Sequence, residues 1–253
     1  MKMVIAGATG TVGRHVLAEA RRRGHQVVAL SRASGQDVST GRGLAEAMSG
    51  AQVVIDVTSQ MTMNTDKAVA FFTTATRNLV AAEKQAGVAH HVALSIVGID
   101  DIDTGYYAGK LAQERAVTDG EVPWTIARAA QFHEFVGQAT QQGTVGPVTV
   151  VPAMLMRPVA AREVAERLLD LAEAGPAGRV TDLVGPRDET LIGLVRRLYA
   201  HDGVRRRPIG VSLPGKYWRA ARSGVLRGSA ENLQGRLTFD EWLDSNYRTK
   251  EAK

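Results

Sequence analysis

The sequence predicts an α/β fold on a mainly parallel sheet, and three observations predict it. Short β-rich runs alternate with longer helical patterns through the first part of the chain. A glycine-spaced turn, Gly7-Ala8-Thr9-Gly10-Thr11-Val12-Gly13, follows the first of those runs and directly precedes a helical pattern. Finally, 253 residues with 44% hydrophobic content bury a substantial core without disulfides or metals.

Residues 3–6 read as a buried strand ending in glycines, and 11–23 as the helix behind it. Strands follow at 25–30 and 52–57, then a long helical pattern at 65–85, a strand at 88–94, a helix at 106–118 and a strand at 124–127. Only about twenty residues separate the second and third strands, with one short helical pattern at 43–48. That is too little for two crossovers and a full strand, because each crossover needs roughly a dozen residues. An intervening edge strand is therefore expected to be vestigial, confined to 36–38. Beyond 140 the pattern changes: 144–151 is rich in Val, Gly and Pro, 161–174 is a strongly amphipathic helix, 179–184 reads as a strand and 190–200 as a helix. The expected organisation is a sheet domain over 1–145 and a smaller α/β substrate lobe over 146–253.

Composition excludes several chemistries. With no cysteine there is no disulfide framework, thiolate zinc site, iron–sulfur cluster or cysteine nucleophile. The start turns glycine-rich too early for a signal peptide, and no apolar run approaches the ~20 residues of a membrane span, so a cytoplasmic protein without a membrane partner is expected. Net charge is +5, and its whole excess lies beyond residue 150. The stretch 196–227 holds nine Lys/Arg against the single Asp202. With little aromatic interleaving and no DNA-binding pattern, it reads as a solvated face rather than a nucleic-acid site. No Gly-x-Ser-x-Gly or P-loop lysine occurs, which removes hydrolase and kinase readings.

The glycine turn has a specific physical use. A pyrophosphate must approach the backbone closely, so side chains are excluded there, and the following helix offers unpaired N–H groups and a partial positive charge. Gly7, Thr9, Gly10, Thr11, Val12 and Gly13 are therefore expected to bind a dinucleotide. An NAD site ordinarily places an acid after the second strand; this chain has Ser31-Arg32, with no acid before Asp37. NADP(H) is expected over NAD(H).

With these residues in view, the chain resembles the atypical short-chain dehydrogenases/reductases, more narrowly the NmrA-like group. The likeness is carried by 6–14, by Leu94-Ser95-Ile96-Val97-Gly98, by Tyr106-Tyr107-Ala108-Gly109-Lys110 and its continuation to Glu114, and by Pro123-Trp124-Thr125-Ile126-Ala127-Arg128. It covers about residues 1–200 well and the tail more loosely. The resemblance implies a doubly wound Rossmann sheet, NADP(H) binding and a substrate lobe from the C-terminal part. It further implies that Asp37-Val38 lie at the adenine and Thr58-Ser59 near the nicotinamide ribose, although the Asn-Ala-Gly usual after the third strand is missing.

Tyr106 and Lys110 are four apart on a predicted helix and share one face. A neighbouring ammonium favours the phenolate and lowers a tyrosine's pKa, which suits proton donation to a carbonyl as hydride arrives. Lys110 also suits a hydrogen bond to the nicotinamide ribose, and Ser95, at a strand's end, suits a substrate oxygen. Together the three look like the Ser–Tyr–Lys set of short-chain reductases, although Tyr107, three residues before Lys110, can share that face. Gln60, Met61 and Met63 follow one strand and Gln131, Phe132 and His133 another, the place where open α/β sheets bind ligands. Adaptable methionines there suggest an apolar or aromatic acceptor, a carbonyl or a quinone. His90 and His91 alternate across a strand and cannot form a simple metal pair, and no metal site is expected. The expected function is an NADPH-dependent oxidoreductase, monomeric or homodimeric; the alternative is an NADP(H)-sensing regulator acting through a partner protein.

Overall fold

A computed structural model describes residues 1–245. The last stretch assigned to the second lobe, 246–253, lies outside the described residues. The chain runs β1 (Lys2–Ala6), α1 (Gly13–Arg22), β2 (Gln26–Leu30), α2 (Leu44–Met48), β3 (Val53–Asp56), α3 (Thr65–Ala86), β4 (His90–Ile96), α4 (Gly105–Thr118) and β5 (Trp124–Ala129). It continues through α5 (His133–Gly143), β6 (Thr144–Val145), β7 (Val148–Pro152), β8 (Leu155–Met156), α6 (Ala161–Ala174), β9 (Gly178–Arg179), β10 (Leu183–Val184) and β11 (Glu189–Thr190). Last come α7 (Leu191–His201), β12 (Arg207–Val211), α8 (Lys216–Ser223), β13 (Leu233–Gln234) and α9 (Phe239–Asp244). Among the described residues, no helix is long and apolar enough to cross a membrane.

The backbone packs as two compact units, each discontinuous in sequence. The first comprises Met1–Arg128 and Arg162–Thr181, the second Ala129–Ala161 and the residues from Asp182 onward. Helix α6, which sequence analysis places in the C-terminal lobe, therefore packs almost entirely with the first unit.

In the first unit the strands lie in the order β5-β4-β3-β1-β2, with β9 parallel beside β5. β1 pairs in parallel with β2 on one side and β3 on the other, and β3 with β4. This is a Rossmann-type sheet. Strands β3 and β4 are buried along almost their whole length, as expected of parallel strands covered on both faces. On one face Val4, Leu30, Leu44, Met48, Val54 and Leu79 form a continuous core. Between β2 and β3 only an isolated Asp37–Arg42 bridge forms, so the expected edge strand is indeed vestigial. The chain leaves β1 toward β2 on one side and returns as β3 on the other, and at that switch point the glycine turn emerges. Helices α3 and α4 approach closely at Gly109, where a Cβ would stand 2.6 Å from the Phe72 ring and 2.9 Å from the Ala68 Cβ.

In the second unit, the 144–151 stretch forms the β6–β7 hairpin, and β12 pairs in parallel with β7. Strands β8 and β11 pair antiparallel. The expected strand at 179–184 is two separate ones. β9 joins β5 in the first unit, whereas β10 lies between Ala129 and β13 in the second. Thr238 caps α9 reciprocally with Glu241.

Candidate functional site

The turn after β1 is held by its own backbone, with Gly10 N–H donating to Gly7 O at 3.0 Å and Arg14 N–H to Gly10 O at 3.1 Å. Gly7 has φ +82°, and a Cβ on it would lie 2.7 Å from Val57 O and 2.9 Å from Thr58 N. At Gly13 a Cβ would meet Gly7 O at 2.1 Å. Both positions therefore exclude side chains, by close approach to the end of β3 and by tight turn-to-helix packing respectively. Helix α1 opens at Gly13 with no side-chain cap and no acidic residue in its first turn. Its positive end is not neutralised locally, which is the chemistry a diphosphate requires.

At the end of β2 the Ser31 hydroxyl caps a short 3₁₀ turn, accepting from Ser34 N and sharing a 2.8 Å hydrogen bond with Ser34 Oγ. Arg32 beside it is exposed. Asp37 turns its carboxylate onto its own loop, accepting from Ser39 N at 2.8 Å, and Val38 O accepts from Asn78 Nδ2 at 2.8 Å. Val38 also packs against the sheet core. The Asp37-Val38 pair is thus fixed in position by α3.

Three of the expected catalytic-region residues gather around α4, in an arrangement different from the one expected. Tyr106 Oη lies 2.8 Å from Ser59 Oγ. Lys110 Nζ instead donates to Leu94 O at 2.6 Å and to Gln113 Oε1, and lies 5.0 Å from the centre of the Phe72 ring. The same Phe72 ring meets Tyr106 edge-on at 5.6 Å. The shared helix face brings Tyr106 and Lys110 to one aromatic side chain, but their polar ends take different partners. Lys110 accordingly does not depress the Tyr106 pKa. Burial pushes that phenol above its ordinary range, the Ser59 hydrogen bond opposes this, and the Asp56 charge adds to it. Burial lowers Lys110 to about 8 against the stabilising charges of Asp56 and Glu114. Ser95, the residue after Leu94, is buried and its hydroxyl has no hydrogen-bond partner among the described residues; the same holds for buried Thr58 Oγ1. Buried hydroxyls without partners are uncommon and suit a ligand's polar atoms.

Several contributing residues went unread in the sequence. Asp56, at the end of β3, accepts from Thr58 N at 2.9 Å and from Gln113 Nε2 at 2.7 Å. Buried Arg128, at the end of β5, grips Asp100 through two bonds of 2.7 and 2.8 Å and Glu114 through two more of 2.8 and 2.7 Å. This ties α4 to the ends of β4 and β5. The available signal was a charged residue closing an otherwise apolar strand, in Val53–Asp56 and again in 124–128.

Of the expected pocket residues, Met61 and Met63 are 57% and 60% exposed, so neither is core packing, and Gln60 is exposed beside them. Met154 and Met156 are core residues of the second unit. In that unit Phe132 bridges Val159, and both polar atoms of the Gln131 carboxamide are buried with no hydrogen-bond partner among the described residues. His133 Nε2 bonds Leu237 O at 3.0 Å, and its ring packs against Phe239 and Trp242. Burial lowers its pKa to about 4, against the Leu237 hydrogen bond, so it is a neutral wall residue. His90 and His91 diverge as the strand period requires, His90 to Thr125 Oγ1 and His91 to Glu83.

A family model for NAD(P)H-binding proteins matches residues 7–174, from the first glycine of the turn to the end of α6. The chain belongs to this NAD(P)H-binding family. No curated protein matches it in sequence. Solved structures with the same fold include UDP-glucose 4-epimerase from Thermotoga maritima (TM-score 0.76, 13% identity, 100% of each chain covered). An NADPH-dependent quinone oxidoreductase from Escherichia coli, complexed with NADPH, has TM-score 0.73 and 19% identity over 96% of this chain and 98% of that one. A short-chain dehydrogenase/reductase superfamily protein from Agrobacterium tumefaciens, with bound NAD, has TM-score 0.67 and 17% identity over 99% and 97%. The NAD(P)H-binding chain thus shares its Rossmann-type fold with reductase and epimerase structures, and the glycine turn lies inside the matched segment.

Proposed function

We propose that this protein is an NADPH-dependent oxidoreductase that reduces a small apolar carbonyl or quinone. The Tyr106–Ser59 hydroxyl pair carries the reading, because it puts a proton donor and its hydrogen-bond partner in the same compact unit as the phosphate turn. The residues fit the coenzyme. Gly7–Gly13 and the open end of α1 receive the diphosphate, Arg32 the 2′-phosphate, Asp37-Val38 the adenine, and Thr58 with Lys110 the nicotinamide ribose. When bound, NADPH supplies the hydride. Tyr106 Oη then gives its proton to the acceptor oxygen, and Ser59 Oγ donates to the phenolate left behind. Ser95 Oγ, buried with no hydrogen-bond partner among the described residues, hydrogen-bonds the acceptor oxygen. Exposed Met61 and Met63, with Gln60 beside them, offer an adaptable apolar surface to the acceptor. The quinone oxidoreductase among the structures of like fold supports a quinone within that class.

The elevated Tyr106 pKa favours one alternative, an NADP(H) sensor without turnover. Tyr106→Phe decides between them. For the enzyme, NADPH oxidation across a panel of apolar carbonyls and quinones falls by about 10²-fold or more while NADPH affinity is retained. Tight NADPH binding with no turnover by the wild-type protein on any panel member overturns the oxidoreductase reading and favours the sensor.

A further inference from the structure

Three buried polar side chains in the first unit form a chain whose polarity chemistry fixes. Asp56, Gln113 and Lys110 are 0%, 1% and 3% exposed. The Asp56 carboxylate only accepts hydrogen bonds, so the Gln113 nitrogen must face it, at 2.7 Å from Oδ2. The Gln113 oxygen is thereby turned to the Lys110 ammonium, which only donates. A flipped amide would oppose oxygen to oxygen and N–H to N–H at once, at a high cost in a buried site. Lys110 and Gln113 lie three apart on α4, so the helix itself sets their approach.

The other Asp56 oxygen holds Thr58 N–H at 2.9 Å, which anchors the segment carrying Ser59 and, through Ser59, the Tyr106 hydroxyl. At the far end Lys110 donates to Leu94 O, one residue before Ser95. These two acceptors, with the centre of the Phe72 ring 5.0 Å from Nζ, fix the ammonium in place.

We propose that Asp56 and Gln113 are positioning residues that hold the Lys110 ammonium at the end of β4 for coenzyme binding. The proposal rests on the oxidoreductase reading only for that coenzyme role. Asp56 supplies the counter-charge, and Gln113 carries it along a defined path to Nζ. The groups around Lys110 are Asp56 from β3, Glu114 from its own helix, and the uncharged Phe72 ring from α3. Glu114 is already committed to Arg128, and the Asp56 charge is also felt by the buried His91 of the His91–Glu83 pair.

The test is the titration of Lys110 in unliganded protein, followed by NMR of ¹³C/¹⁵N-labelled lysine and assigned by loss of the signal in Lys110→Met. The wild-type midpoint is expected at about 8. In Gln113→Leu and Asp56→Asn it falls by about one pH unit or more, because the ammonium loses its acceptor or its counter-charge. The pH at which NADPH affinity begins to decline follows each midpoint. A merely structural role lowers thermal stability and leaves the midpoint in place, so unmoved midpoints in folded Gln113→Leu and Asp56→Asn overturn the proposal. NADPH affinity unchanged by Lys110→Met refutes the coenzyme role of Lys110 separately, whatever the titrations show.

Discussion

His91 is fully buried on β4, with Nδ1 2.8 and 2.9 Å from the two oxygens of the equally buried Glu83. Burial works against the imidazolium, yet the Glu83 charge and hydrogen bond, with help from Asp56, raise its pKa above the ordinary histidine range. A histidine whose folded pKa exceeds its unfolded value contributes stability that is complete below pH about 6.5 and is lost as pH rises through the folded value. Urea unfolding between pH 6 and 9 is therefore expected to show declining stability across the upper part of that range. Glu83→Gln flattens the decline, while lowering stability at pH 6 by about 3–5 kcal/mol, because one partner of a buried pair is removed. A pH dependence identical in both proteins contradicts the assignment. At this scale the sequence was legible where one residue type has one use. Gly7 and Gly13 lie where no Cβ fits, and His90 and His91 diverge as strand period requires. It was less legible for side chains choosing among partners. The four-residue spacing of Tyr106 and Lys110 fixes a shared helix face, but the contest of Lys110 between a phenol, the Leu94 carbonyl and Gln113 is decided by β4 and β3, which helical spacing cannot report.

Among the elements, α3 and α4 set the site, because α4 carries Tyr106, Lys110 and Gln113 and α3 supplies Phe72 beneath them. Their close approach depends on Gly109, where a Cβ would fall 2.6 Å from Phe72 and 2.9 Å from Ala68 Cβ. Gly109→Val is expected to overpack this contact and cost about 1–3 kcal/mol or more, measured by denaturant unfolding. It is also expected to disturb the Tyr106–Ser59 pair; a cost within about 0.5 kcal/mol would mean that the helices do not pack as described. Helix α6 was legible to the residue, 161–174, since its amphipathic stripe is strong. Helix α5 carries no clear periodic signal in the sequence, although His133, Val136 and Thr140 are buried along one face. The intervening glutamines and Gly137 dilute that stripe to a short polar run. The strand expected at 179–184 divides because neighbouring residues pair in different units, a tertiary choice with no local mark.

The first unit is ordered around the switch point between β1 and β3, where a glycine-spaced turn meets a helix end without a side-chain cap. The alternation of strands and helices made this sheet readable, and the short 31–52 crossover foretold the missing edge strand. The discontinuous division into units was harder to read, because α6 returns to the first unit after the chain has entered the second. Calorimetric titration of the purified protein with NADPH and with NADH tests the coenzyme site most directly. Saturable binding of NADPH is expected, weakened about tenfold or more by Arg32→Ala while NADH binding is little changed. No saturable heat from either coenzyme, at protein concentrations in the tens of micromolar, would contradict it.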